Sequence, residues 1–145
     1  MFNQLFIIQL LSSLWMCSLI WVIQLVHYPS FLYLNPSKRI EFSKLHQFRI
    51  SFLVMPAMLL ELFSLGALLF LDANHLLLWL AAILLAIIWI STVFLQVPQH
   101  KLLSTETCNQ KTQQSAKFLV LSNWIRTLGW TIKTCLIVWL FLNFL

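Results

Sequence analysis

The sequence predicts an all-α integral membrane protein, a single four-helix bundle, and three observations carry that expectation. Hydrophobic residues make up 61% of the 145 positions, charged residues only 9%, and there are seven Trp, a composition outside the range of water-soluble domains. Four apolar stretches each reach about 20 residues, the length a helix needs to cross a bilayer core about 30 Å thick. None shows the period-2 alternation of a barrel strand, and only helices or closed barrels satisfy every backbone group in lipid.

The first helix is expected at Leu5 to Tyr28. The preceding MFNQ carries no Lys or Arg, and the apolar run exceeds a signal-peptide core, so the segment reads as a retained helix. A loop from Pro29 to Gln47 leads to the second helix, Phe48 to Leu71, and the short turn LDANHL leads to the third, Leu76 to Val97. A second loop, Pro98 to Lys117, contains the polar stretch TETCNQKTQQSAK and precedes the fourth helix, Phe118 to Leu142. Residues 1–145 thus form one domain. Cys17, Cys108 and Cys135 show no CxxC or other ligand spacing, and Cys17 and Cys135 are expected as small buried thiols within helices.

Charge sets the expected orientation. With four spans, both long loops share one face, which holds Lys38, Arg39, Lys44, Lys101, Lys111 and Lys117, with Arg49 and Arg126 at its border. The opposite face has no Lys or Arg, so the positive-inside rule places the loops in the cytoplasm and both termini outside. A net charge of +5 and a pI near 9.5 then describe a solvated basic face near anionic lipid, and no nucleic-acid partner is implied.

Polar residues recur at that face in a repeated order. The first helix closes with Gln24, His27 and Pro29, and the second opens with His46 and Arg49; the third closes with Gln96, Pro98 and His100, and the fourth opens with Asn123 and Arg126. The pattern predicts two pseudo-repeated helix hairpins related by an axis along the membrane normal. Residues three or four apart share a helix face, so Gln24 with His27, His46 with Arg49, and Gln96 with His100 are expected to point inward together. Asn123, Arg126, Trp130 and Lys133 form one stripe that is expected to face protein.

Two charges lie deeper. A Lys at the centre of a membrane helix costs about 2.5 to 3.5 kcal/mol on insertion scales. Glu61 is twelve residues inward of Arg49 and Lys133 seven inward of Arg126, a depth difference of roughly 7 Å at 1.5 Å per residue, which a Lys stem can span. A Glu61 to Lys133 pair is one reading; a snorkelling Lys133 or a protonated Glu61 is the other.

His27, His46 and His100 come from three helices to one level, which is what an imidazole-rich metal site requires. No HExxH or HxxxH spacing accompanies them. Two readings stay open: a transition-metal or haem site on these three histidines, or a hydrogen-bonded network with Gln24, Gln96 and Asn123. In either, Arg49 and Arg126 offer forked donors to an anionic or carbonyl-bearing ligand or to lipid headgroups. His75, alone in the opposite turn, is expected only as an interfacial side chain.

QLVHYPSF, LHQFRISFLVMPAMLLEL, FLQVPQHKL and SNWIRTLGWT resemble the successive signatures of a group of small bacterial four-helix membrane proteins, and the resemblance spans most of the chain. It implies a location in the bacterial inner membrane and no particular activity. More distantly, the Asn-x-x-Arg of the fourth helix, Asn123 and Arg126, resembles that of anthrone-oxygenase-like membrane proteins, some of which insert oxygen into polyketide anthrones. That likeness implies a bundle whose polar end takes a hydrophobic aromatic or quinone-like substrate and names no cofactor.

Two classes of function follow. One is a membrane oxidoreductase or oxygenase in which His27, His46 and His100 hold a metal or move protons, and Arg49 and Arg126 stabilise negative charge. Asn123 belongs to the same set, Trp124 and Trp130 wall an apolar pocket, and Gln24 and Gln96 complete it. The other is a non-catalytic binding, carrier or assembly protein whose polar collar is structural. A phosphate-binding glycine loop and a readable Ser-His-Asp order are missing, and two glycines, Gly66 and Gly129, give no small-residue face from which to predict an oligomer.

Overall fold

A computed structural model describes residues 2–106 and 109–144; Cys108 lies outside the described residues. Four long helices run up and down: α1 (Phe2–Ser30), α2 (Pro36–Leu71), α3 (Leu76–Thr105) and α4 (Asn109–Phe144). There is no strand among the described residues. All four helices are long and apolar enough to span a membrane, and the chain is an integral membrane four-helix bundle. Each helix packs against its two ring neighbours, α1 on α2, α2 on α3, α3 on α4 and α4 on α1.

The helices outrun the apolar stretches that reveal them. Pro36 to Gln47, Pro98 to Thr105 and Asn109 to Lys117 are helical, where hydropathy predicts loops. Apolar length measures only what lipid requires, whereas Lys, Glu, Gln and Leu continue a helix readily in water, and Pro36 suits a first turn. At 36 residues, α2 is about 54 Å long, so its basic end extends beyond a bilayer core of about 30 Å.

Both odd helices contain one widened turn near the basic end. In α1 it spans Ile23–His27, closed by Tyr28 N–H donating to the Ile23 carbonyl; in α3 it spans Thr92–Gln96, closed by Val97 N–H donating to the Thr92 carbonyl. Each lies just before a proline, Pro29 or Pro98. A proline has no N–H for the carbonyl four residues back and its ring crowds that carbonyl, and a five-residue turn is the local adjustment. Aligning the two turns superposes Pro29 on Pro98 and sets His27 beside Gln96 and Phe31 beside His100.

The interior changes character along the bundle. The half opposite the basic end holds an apolar cluster of Phe6, Leu65, Leu68, Leu78, Ala81, Leu85, Ile137 and Leu140. Toward the basic end a second cluster, centred on Met16, Ile20, Met58, Ile88, Leu119 and Trp130, is threaded by buried polar side chains. Gly129 permits the close approach of α4 to α3, since a methyl there would sit 2.9 Å from Ile88 Cγ1.

Two expectations about single residues are corrected. Arg39 is not a solvated loop charge: it is 3% exposed, donating to the carbonyls of Phe31 and Leu34 at 3.0 and 2.8 Å and to Thr112 Oγ1 at 2.7 Å. The turn after α1 supplies the two carbonyls, and the helical extension of α4 supplies Thr112. Cys135 is exposed on the outside of α4, while Cys17 is half-buried near Thr131; the apolar exterior demanded by lipid holds a thiol as readily as the core does.

Candidate functional site

The widened turn of α1, the start of α2 and the end of α3 bring three imidazoles and two phenyl rings into one cluster near the basic end. His27 lies 4.0 Å, centroid to centroid, from His46 with the rings stacked, and 5.1 Å from Phe42 on its other side. His46 in turn is 5.3 Å from His100 of α3. Phe31 meets His46 and His100 edge-on at 6.0 and 6.2 Å. The three histidines therefore share one cluster, His27 stacked on His46 and His100 tilted against it, rather than presenting nitrogens that converge on a point. Among the described residues no set of three His, Cys, Asp or Glu side chains is disposed to hold a metal ion.

Tyr28 links this cluster to α4. Its hydroxyl is 3.0 Å from His100 Nε2 and lies beside the Arg126 guanidinium. Arg126 is 4% exposed; its Nη1 donates to Asn123 Oδ1 at 3.1 Å, and its Cζ sits 5.1 Å above the Trp130 ring. Behind it, Asn123 Nδ2 donates to Gln24 Oε1 at 2.8 Å, and Gln24 Nε2 donates to the Val120 carbonyl at 3.1 Å. Asn123 and Gln24 are thus saturated by each other and by the backbone, and they hold the guanidinium in place.

The line of polar contacts continues inward. Trp130 Nε1 donates to Glu61 Oε2 at 2.9 Å, and Glu61 Oε1 accepts from Lys133 Nζ at 2.7 Å, both charges being fully buried. Lys133 also donates to Ser13 Oγ at 2.7 Å. With its amide oriented to satisfy both ends, Gln9 accepts from Lys133 at 3.2 Å and donates to Ser64 Oγ and the Glu61 carbonyl. Glu61 and Lys133 therefore meet across the bundle centre, from opposite corners of the ring. Gln9, Ser13 and Ser64 are partners the sequence reading missed; polar side chains in mid-span were the signal, Gln9 and Ser13 being four apart on one face.

A cavity of about 230 Å³ opens beside this line, small against the roughly 300 to 1,000 Å³ of sites for drug-sized molecules. Its inner wall is Tyr28, His46, His100, Gln96 and Arg126, and its apolar wall includes Ile50, Val54 and Met55. Ser51, Met55 and Val97, which also line it, are exposed on the lipid side of α2 and α3. The mouth thus faces laterally, between α2 and α3. Gln96 Nε2 donates to Ser122 Oγ at 3.0 Å. Gln96 Oε1, His100 Nδ1 and Arg126 Nε are buried with no hydrogen-bond partner among the described residues.

The remaining predicted residues lie around this centre. Arg49 is exposed and borders a shallow apolar recess with His27, Phe42 and His46, outside the cavity. Three residues beyond His46 on α2, it is offset from that side chain by about 60° around the helix, enough to carry it from the buried face to the exposed one. Trp124 packs edge-on against Trp21, 5.7 Å between centroids, on the seam of α1 and α4; Trp130 alone of the two reaches the polar centre. Tyr28, at the close of the first apolar stretch, joins His100 to Arg126.

Fold and site together define a four-helix membrane protein with a laterally open polar pocket near one end of the bundle. Compared with known proteins, the chain matches no family model, no curated protein and no solved structure.

Proposed function

We propose that the chain is a membrane oxidoreductase or oxygenase for a hydrophobic aromatic carbonyl compound, which enters from the lipid between α2 and α3. One observation carries the reading: a lipid-facing apolar cleft ends on Tyr28, His46, His100, Gln96 and Arg126. Such a cleft takes a flat ring system and leaves any tail in the bilayer. A ring oxygen at its inner end would meet the Arg126 guanidinium and the Tyr28 hydroxyl, while a histidine nitrogen receives a proton from the acidified C–H or O–H. These side chains supply proton transfer and oxyanion stabilisation. With an anthrone as substrate and dioxygen as oxidant, the ring CH2 becomes C=O, one oxygen atom entering the product and the other leaving as water. The basic face lies in the cytoplasm of a bacterial inner membrane in this reading.

A structural collar is the alternative, and the saturated Gln24, Asn123 and Arg39 suit it. It leaves unexplained why the cavity-lining side chains retain three unpartnered atoms, when a buried unsatisfied group costs about 1 to 3 kcal/mol. The test uses the full chain in phosphatidylcholine nanodiscs with anthrone. Saturable binding and dioxygen uptake are expected; Tyr28→Phe and His100→Phe should cut uptake by about tenfold or more with binding retained, as removal of an acid–base group does. Ser51→Phe with Val97→Phe, which closes the mouth, should abolish both. Absence of binding overturns the reading, and binding without uptake reduces it to a carrier.

A further inference from the structure

The charge of the cavity is unbalanced, and that constrains what it binds. Arg126 keeps its proton in any protein setting, is 4% exposed, and forms no ion pair among the described residues. The chain has four Asp and Glu side chains. Glu61 is held by Lys133, Glu106 lies 3.8 Å from Lys111, Asp72 is in the turn at the far end, and Glu41 is exposed. The titratable groups that do surround Arg126 are Tyr28 of α1, His46 of α2 and His100 of α3, with His27 behind His46, and none of them supplies a negative charge as a neutral side chain. Its neighbours on α4, Asn123 and Trp130, contribute an amide oxygen and a ring face.

A buried guanidinium with an unpartnered Nε, in a cavity lined otherwise by neutral groups, is complementary to an oxyanion. From this we propose that the cavity selects its aromatic ligand in the anionic form, as a phenolate or enolate whose oxygen replaces the missing carboxylate beside Arg126. The proposal rests on the functional reading above and adds the ionisation state to it. The ring lies in the cleft between α2 and α3 with its oxyanion on Arg126 Nε and the Tyr28 hydroxyl, and Gln96 stands ready to accept from any neighbouring hydroxyl.

The experiment compares two probes of one ring system, 2-hydroxy-1,4-naphthoquinone, an anion at neutral pH, and neutral 1,4-naphthoquinone. Both are titrated into the full chain in phosphatidylcholine nanodiscs, with the visible spectrum of the hydroxyquinone reporting its ionisation when bound. The anion is expected to bind about tenfold tighter or better, the scale of one charge-assisted contact out of water, and to keep its anionic spectrum below the pH at which it protonates in solution. Arg126→Met should erase that preference and Arg126→Lys should keep part of it, since Lys retains charge without the fork. Equal affinity of the wild-type protein for both probes overturns the proposal and leaves the functional reading standing, whereas failure of both to bind overturns the two together. Displacement of the anion by phosphatidylglycerol added to the nanodiscs would assign Arg126 to a lipid phosphate and also overturn it.

Discussion

Among the described residues three Lys and Arg side chains are buried in this bundle, and each is accommodated differently. Lys133 meets a carboxylate, a hydroxyl and an amide; Arg39 is saturated by two carbonyls and the Thr112 hydroxyl; Arg126 keeps an unpartnered N–H beside a cavity. The first arrangement predicts strong coupling. Removing one member of a buried pair leaves the other uncompensated and commonly costs about 3 to 5 kcal/mol. Glu61→Gln and Lys133→Met should therefore each destabilise the bundle strongly, and the double variant should lose less than the sum. Thermal unfolding in detergent measures the cycle; additive losses would mean that the two charges act independently. Trp130 takes part in both networks, through Glu61 on its indole N–H and Arg126 on its face.

At the scale of the element, the widened turns decide which side chains face inward. One extra residue in a turn rotates everything beyond it by about 100° relative to an uninterrupted helix, and His100 lies four residues past the turn of α3. Pro98 is the local cause, because its ring opposes the ordinary bond to Phe94. Pro98→Ala restores an N–H there. The helix is expected to tighten, with stability unchanged or raised, while His100 turns away from Tyr28 and affinity for the aromatic probes falls by about tenfold, the worth of one good polar contact. Unchanged affinity in a fold of unchanged stability would show that packing against α2 and α4, and not the proline, holds the turn open. Pro56 lies in mid-helix in α2 with no widened turn, so proline permits this geometry without dictating it.

For the whole molecule, the asymmetry of the interior matches the asymmetry of charge. The polar line runs from the histidine cluster inward to Gln9 and Ser64, and the apolar cluster lies beyond it. Every Lys and Arg except Lys133 lies within the polar end's half of its helix. If that end is cytoplasmic, a thiol at exposed Ser37 or Lys101 should resist an impermeant reagent added to intact cells, whereas one at exposed Asn74 should react. The native cysteines, Cys17, Cys108 and Cys135, are replaced first. Labelling at Ser37→Cys with protection at Asn74→Cys would invert the molecule and put the mouth of the site near the outer leaflet.

Much of this was legible in one dimension. Composition and apolar length are sufficient for a four-helix membrane bundle, because lipid leaves a chain of this kind few alternatives, and helical spacing placed Asn123, Arg126, Trp130 and Lys133 on one inward stripe. The reach of a Lys stem made the Glu61 pair accessible before any coordinates. Tertiary structure decided the rest. Whether three histidines at one level converge or stack depends on ring orientation, which spacing does not encode; here His27 and His46 stack and His100 lies tilted beside them. The repeat of polar residues implied equal roles for Arg49 and Arg126, yet one is exposed and the other buried, because inward and outward are properties of the neighbouring helix and not of the residue. The lateral cleft, likewise, belongs to the gap between α2 and α3, residues some forty positions apart whose separation is set by how all four helices close the ring.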